Sequence, residues 1–226
     1  MENKPFLLFT ARSNSTRVPH KMTRVLGNGD TLIDIYLRRM NALLDSGSFS
    51  GGGFGVCKND GNIYTRAVAS GVPILERSRA SIVKGAPLKT IFDVLNWVKQ
   101  DYILWVNGCQ PFLKNSTIIE VADTISQYPS SMTAVTRSRD ILWDEGVPVD
   151  QESAKEHRSD SAITRFKSTH SFHVFSRRYL LAFSQYWTGL LNDPFLYEME
   201  DKKEFLDVDT ELDFEIVSRL YGGQDA

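Results

Sequence analysis

The chain has 226 residues, with 42% apolar and 24% charged side chains. That suits one folded domain with a sizeable core and excludes a disordered chain. Lys+Arg 26 against Asp+Glu 28 leaves a net charge of -2, which argues against a nucleic-acid-binding role. No apolar run approaches the roughly 18–20 residues of a membrane span. The opening segment, with four apolar residues at 6–9 before a charged motif, lacks the layout of a cleaved signal. Two cysteines, Cys57 and Cys109, cannot build a disulfide framework, so a reduced, cytoplasmic protein away from the membrane is expected.

Two periodicities alternate along the chain. Phe6 to Phe9 is a continuous apolar run of the kind buried on both faces of a sheet. From Leu32 the apolar positions 32, 33, 36, 37, 40, 43 and 44 predict a helix, started by Asp30 and Thr31 and stopped by Gly47. Phe54 to Cys57 reads as a strand, Asn62 to Ser70 as a helix closed by Gly71, and Val72 to Leu75 as a short strand. Leu88, Ile91, Phe92, Leu95 and Val98 form one further helical stripe. Tyr102 to Val106 predicts a second buried strand, followed by a helix marked by Ile118, Ile119, Ala122 and Ile125. Strands are expected at Met132–Val135 and Phe172–Phe175, and a final helix on Phe214, Val217, Leu220 and Tyr221. Such alternation predicts a layered α/β fold with a mostly parallel sheet. The polar segment from Arg137 to Thr164 breaks the pattern, and its length favours a functional insertion.

Two segments carry the chemistry. The first strand runs into Ala11-Arg-Ser-Asn-Ser-Thr-Arg-Val-Pro-His-Lys21. Loops at the carboxyl ends of parallel strands are where ligands sit. Arg12, Arg17 and Lys21 supply cations beside His20, while the small residues Ser13, Asn14, Ser15 and Thr16 let backbone N–H groups approach an anion. The segment is neither a Walker loop nor a glycine-rich dinucleotide fingerprint. Near the other end lies Leu206-Asp-Val-Asp-Thr-Glu-Leu-Asp-Phe-Glu215. In extended chain Asp207 and Asp209 point to one side, and paired carboxylates with hard oxygen ligands suit Mg²⁺. Thr210 and Asp213 have the spacing of a capping box, which leaves Asp213 and Glu211 as capping or surface groups.

The Arg-x-x-Ser-x-Arg-x-Pro-x-Lys spacing resembles the signature of the sugar-acid cytidylyltransferases, the enzymes that make CMP-sialic acid and related CMP-sugars. Asp-x-Asp-Thr-x-x-Asp-Phe is similar to the segment that ends the same family. The resemblance implies a three-layer, Rossmann-like nucleotidyltransferase fold of the glycosyltransferase-A type. It covers residues 1–226 as one domain, with a dimerisation insertion at about 139–164. It further implies that Arg12 and Lys21 bind the CTP triphosphate and that Asp207 and Asp209 hold the catalytic Mg²⁺. Arg12, Lys21 and Asp209 are then the catalytic candidates.

Ala11, Arg12, Ser13, Asn14, Ser15, Arg17, Lys21, Met22 and Arg77 become nucleotide-binding candidates. Met22 stands where the family has Asn, and Lys84-Gly-Ala-Pro87 replaces the family's Ser-x-Asp segment. Asn107 occupies the place of the family's substrate-contacting Gln, with Gln110 as second choice. His173, in Thr169-His-Ser-Phe-His-Val-Phe175, falls on the family's sugar-facing Tyr, and His170 is a weaker candidate. By analogy with the arms of this family, Arg158 and Arg165, in or near the insertion, are candidates to reach a substrate carboxylate, including one in the neighbouring subunit. The expected reaction is transfer of CMP from CTP to the anomeric hydroxyl of an acidic sugar of the sialic acid type, in a homodimer. Two alternatives stay open: transfer to a sugar or alditol phosphate, and a relative that binds nucleotide without catalysis. Zinc on His170, His173 and the two aspartates is disfavoured, because no cysteine joins them.

Overall fold

The computed structural model describes residues 4–13, 15–149, 155 and 164–223. The strands are β1 (Phe6–Thr10), β2 (Gly52–Val56), β3 (Ile74–Glu76), β4 (Tyr102–Val106), β5 (Met132–Ser138), β6 (Trp143–Asp144), β7 (Val147–Pro148), β8 (Arg165–Ser176) and β9 (Phe195–Glu198). The α-helices are α1 (Leu32–Asp45), α2 (Gly61–Ala69), α3 (Leu88–Ile91), α4 (Asn115–Gln127), α5 (Arg177–Phe183) and α6 (Glu211–Gly222). Seven strands form one sheet in the order β3-β2-β1-β4-β8-β5-β9, and only β8 runs against the others. The expected mostly parallel α/β architecture is present.

The alternation of β1 explains the layers. Leu7 and Phe9 enter a large core with α1, α4 and α6, whereas Phe6 and Leu8 enter a smaller core on the opposite face with Phe92, Leu95 and Leu180. Successive strand side chains point to opposite faces, so a continuous apolar run feeds both. In β4, Leu104 and Val106 join the first core and Ile103 the second. Truncating a fully buried aromatic such as Phe9 in packing of this kind costs about 3–5 kcal/mol.

The helix starts obey the capping rules. Thr31 and Asp34 close a capping box on α1, and Thr210 and Asp213 close one on α6. The second box is the one expected, and it fixes where the chain leaves the extended segment that carries Asp207 and Asp209.

Several expectations require correction. The stripe from Leu88 to Val98 is not one helix. It divides into α3 and a 3₁₀ turn over Asp93–Trp97. Val94 is buried along with Phe92, Leu95 and Val98, and the Asp93 carboxylate accepts a hydrogen bond from the Ser78 N–H at 2.9 Å. Both features suit a tight local turn better than 3.6-residue spacing. The strand expected at 172–175 spans twelve residues as β8, and β5 continues to Ser138 alongside it. The polar segment therefore begins on a two-stranded arm, where the Arg137 guanidinium holds Glu198 of β9 with bonds of 2.9 and 2.7 Å. The β6–β7 hairpin lies within the insertion, while Arg158 falls outside the described residues. Neither β9 nor α5 was expected.

Candidate active site

The carboxyl ends of β1 and β4 open into a cavity of about 850 Å³. The loop after β1 forms one side through Ala11, Arg12, Ser15, Arg17, Lys21 and Met22. Asp207 and Asp209, just before α6, form another. Two stretches almost 190 residues apart are thus held together by direct bonds. The Lys21 ammonium donates to the Val208 carbonyl at 2.7 Å and stands 3.6 Å from Asp209 Oδ1. Arg17 donates to the same carboxylate oxygen at 2.7 Å. Val208 is buried in the main core, and its N–H donates to the Cys109 carbonyl, so the acidic segment is anchored between its two carboxylates.

Asp207 is the more enclosed acid. Its Oδ2 accepts from Asn107 Nδ2 at 3.1 Å, while its Oδ1 is buried with no hydrogen-bond partner. Burial, and then the charge of Asp209, raise its pKa above the ordinary carboxylate value, with Lys21 and the amides of Asn107 and Gln110 pulling the other way. Asp209 is half-exposed and faces its cations. Cys109 also lines the cavity, but burial pushes its thiol up to about 11, so it is protonated at neutral pH and a poor nucleophile.

Asn107 lines the cavity, orienting Asp207 with its amide group and accepting from the Cys109 N–H at 2.9 Å. Gln110 does not reach the cavity lining. It is fully buried and donates to the Thr169 carbonyl at 2.8 Å. Its loop is gripped by Arg39, which the helical stripe gave no reason to single out. This buried guanidinium donates to the carbonyls of Gln110, Pro111 and Leu113 at 3.2, 2.8 and 2.6 Å. Gly108 is required in the same loop, because a Cβ there would stand 2.6 Å from the Tyr36 ring.

Arg77 lines the cavity yet is almost wholly buried, donating to the carbonyls of Ser81 at 2.9 Å and Ala11 at 3.5 Å. Met22 reaches the cavity but also packs into the main core. Ser13 is turned away from the cavity lining, with its N–H and hydroxyl both on Asp60. Arg165 begins β8 opposite Ser138 and is not part of the lining. Asn14 lies outside the described residues.

The far wall is aromatic. His173 stacks on Trp105 with centroids 5.5 Å apart and meets Tyr186 and Trp187 at 4.8 and 5.4 Å. Its Nδ1 lies 2.9 Å from Thr133 Oγ1. Burial, with a smaller contribution from His170, pushes its pKa down to about 3, so His173 is a neutral ring at physiological pH. His170 is exposed at the cavity with φ 54, where a non-glycine residue is uncommon. Its neighbours hold that bend: the Thr169 carbonyl accepts from Gln110, and the Ser171 carbonyl accepts from the Asn107 N–H.

The buried His173 sets an expected pH dependence. A histidine whose folded pKa is depressed stabilises the protein fully above its unfolded value near 6.5, and that contribution is lost as pH falls toward the folded value. Unfolding free energy is expected to decline below about pH 6.5 by up to ~1.4 kcal/mol per unit from this group alone. Denaturant titrations of the wild type and His173→Phe across pH 4–7 read the difference in slope. Equal slopes would show that His173 does not carry this dependence.

No family model and no curated protein sequence matches the chain. Solved structures do match its fold. A CMP:2-keto-3-deoxy-manno-octonic acid synthetase complexed with CTP aligns with a TM-score of 0.70 at 14% identity, over 99% of this chain and 100% of that one. The 4-diphosphocytidyl-2C-methyl-D-erythritol synthase of Anaerococcus prevotii aligns at 0.66 and 12% identity, over 97% and 96%. A cytidylyltransferase from Leptospira borgpetersenii serovar Hardjo-bovis aligns at 0.57 and 15% identity, over 95% and 85%. The chain shares with these structures a Rossmann-like α/β fold with a mostly parallel sheet.

Proposed function

We propose that the chain transfers CMP from CTP to the anomeric hydroxyl of an acidic sugar of the nonulosonic type and releases pyrophosphate. The observation that carries this reading is the single cavity joining the cationic loop after β1 to Asp207 and Asp209 before α6. The fold it shares with a CMP-sugar-acid synthetase complexed with CTP supports it.

Arg12 and Lys21 would hold the triphosphate and stabilise charge on the leaving pyrophosphate as the α-phosphorus to β-phosphate oxygen bond breaks. Arg17 adds a third cation at the loop. Asn107 orients Asp207, while Trp105, neutral His173, Tyr186 and Trp187 offer ring faces to the acceptor.

The acidic pair fits a divalent cation. An unpartnered buried oxygen on Asp207, a pKa raised by burial and by Asp209, and hard oxygen donors are what Mg²⁺ would relieve and use. Asp207 and Asp209 would hold the ion, and substrate oxygens would complete its shell, because the described residues contain no cluster of three His, Cys, Asp or Glu suited to a metal. Bound there, Mg²⁺ would supply Lewis-acid polarisation and charge neutralisation for the phosphate.

The expected partner is a second copy of the chain. The β6–β7 hairpin presents exposed Trp143 and Val147 from the insertion, and sedimentation of the purified protein reads its oligomeric state. No helix among the described residues is long and apolar enough to cross a membrane.

Thermal-shift titration and pyrophosphate release test the activity together. CTP with Mg²⁺ is expected to stabilise the protein by about 2.7 kcal/mol at a hundredfold excess over Kd, and at equal concentration more than other nucleoside triphosphates do. Pyrophosphate release is expected with nonulosonic acids. Release only with a sugar or alditol phosphate would move the assignment to the second class, which the fold likeness to the Anaerococcus prevotii protein keeps in view. CTP binding without release from any acceptor would support a non-catalytic relative.

A further inference from the structure

We propose that Asp60 is a positioning residue for the phosphate loop, a role that rests on the nucleotide-binding reading of that loop. Asp60 stands at the N-terminus of α2, where an aspartate ordinarily caps its own helix, yet its side chain makes no capping bond there. The carboxylate reaches across 47 positions of sequence instead. Its Oδ1 accepts the Ser13 N–H at 3.2 Å and the Ser13 hydroxyl as well. Asp60 is 3% exposed and outside the cavity lining.

Burying a carboxylate is costly unless charge and hydrogen bonds answer it. Here the answering groups belong to the nucleotide side. Ser13 supplies two donors, and the buried guanidinium of Arg77 feels Asp60 and Asp93 as opposing charges. Asp60 Oδ2, Arg77 Nε and Asp93 Oδ1 are all buried without a hydrogen-bond partner. The acid thus stands behind the loop, bonded to the turn at Ser13 and facing through charge alone the arginine that donates to the Ala11 carbonyl.

The effect is preorganisation. Ser13 spends its N–H and hydroxyl on Asp60, and its carbonyl accepts the Ser15 N–H at 3.0 Å. Arg12, just before it, and Ser15, two positions after it, both line the cavity. A loop already turned toward its anion loses less conformational freedom on binding. Asp60 therefore acts on affinity for the triphosphate through Ser13, without touching it.

Asp60→Ala and Asp60→Asn are compared with wild type by calorimetry, using tripolyphosphate as the probe, and by steady-state kinetics with CTP. Asp60→Ala is expected to raise the tripolyphosphate Kd and the KM for CTP about tenfold while kcat stays within about threefold. Asn keeps an oxygen that accepts both Ser13 bonds, so Asp60→Asn is expected to restore most of the affinity. Folded Asp60→Ala with unchanged Kd overturns the proposal, as does Asp60→Asn that binds no better than Asp60→Ala.

If Asp60→Ala does not fold, Ser13→Ala removes the hydroxyl bond alone. It is then expected to weaken tripolyphosphate about threefold, and unchanged binding overturns the proposal. A wild type that binds tripolyphosphate but releases no pyrophosphate from CTP refutes the transferase reading and leaves the positioning role to be decided by the Asp60 variants. A wild type without affinity for tripolyphosphate removes the positioning role as well.

Discussion

Asp209→Ala is expected to lower pyrophosphate release from CTP by on the order of a thousandfold at saturating Mg²⁺, with little change in stability. The two halves of this expectation have separate causes. In catalysis, Asp209 is the more accessible member of the acid pair, and its removal leaves Asp207 alone to face a polyphosphate and its counter-ion. In stability, its bonds are an exposed ion pair to Arg17 at 2.7 Å and a longer contact to Lys21. Pairs of that kind contribute about 0–1 kcal/mol. Lys21 keeps its bond to the Val208 carbonyl in the variant, so the loop stays attached to the acidic segment. Turnover assays beside denaturant unfolding separate the effects. Wild-type turnover in Asp209→Ala would remove the acidic pair from the mechanism.

Arg39→Leu is expected to destabilise the protein by about 3–5 kcal/mol. Arg39 is 7% exposed, and burial lowers its pKa. Its guanidinium is nevertheless the donor for three carbonyls in the turn after β4. Replacing it with a shorter, apolar side chain leaves those carbonyls buried with one fewer partner each. The same turn carries Asn107, which orients Asp207, and Gln110, which holds β8 at Thr169. Activity per folded molecule is therefore expected to fall as well, with a larger effect on the acceptor KM than on the CTP KM. A midpoint of unfolding unchanged from wild type would show that water takes over the three carbonyls.

The contrast between these residues shows what a sequence can disclose. Arg12, Lys21, Asp207 and Asp209 were legible because charged and small residues at a strand's carboxyl end have few structural uses, and because the Thr210–Asp213 box marked where extended chain gives way to helix. All four line one cavity. Arg39 and Asp60 were not legible. Each looks like an ordinary helix-surface or helix-cap residue until tertiary contacts 47 or more positions away are known. The burial of Gln110 was not legible for the same reason, since a polar residue in a turn has no local sign that it will be buried under Thr169. The aromatic wall was half legible. Trp105 lies in a strand that reads as buried, but only the register of β4 against β8 sets its ring on His173. The stripe from Leu88 to Val98 failed because apolar spacing cannot reveal a competing bond such as that between Ser78 and Asp93.

The tie between Lys21 and the Val208 carbonyl carries a consequence for how the molecule comes to work during synthesis. The cationic half of the cavity is synthesised almost 190 residues before the acidic half. Val208, Phe214 and Val217 complete the main core at the same moment. A nascent chain stalled before Asp207 would carry a basic loop with no acidic counterpart and a core missing one helix. The joined cavity and the complete main core therefore both wait for the segment that runs from Asp207 into α6.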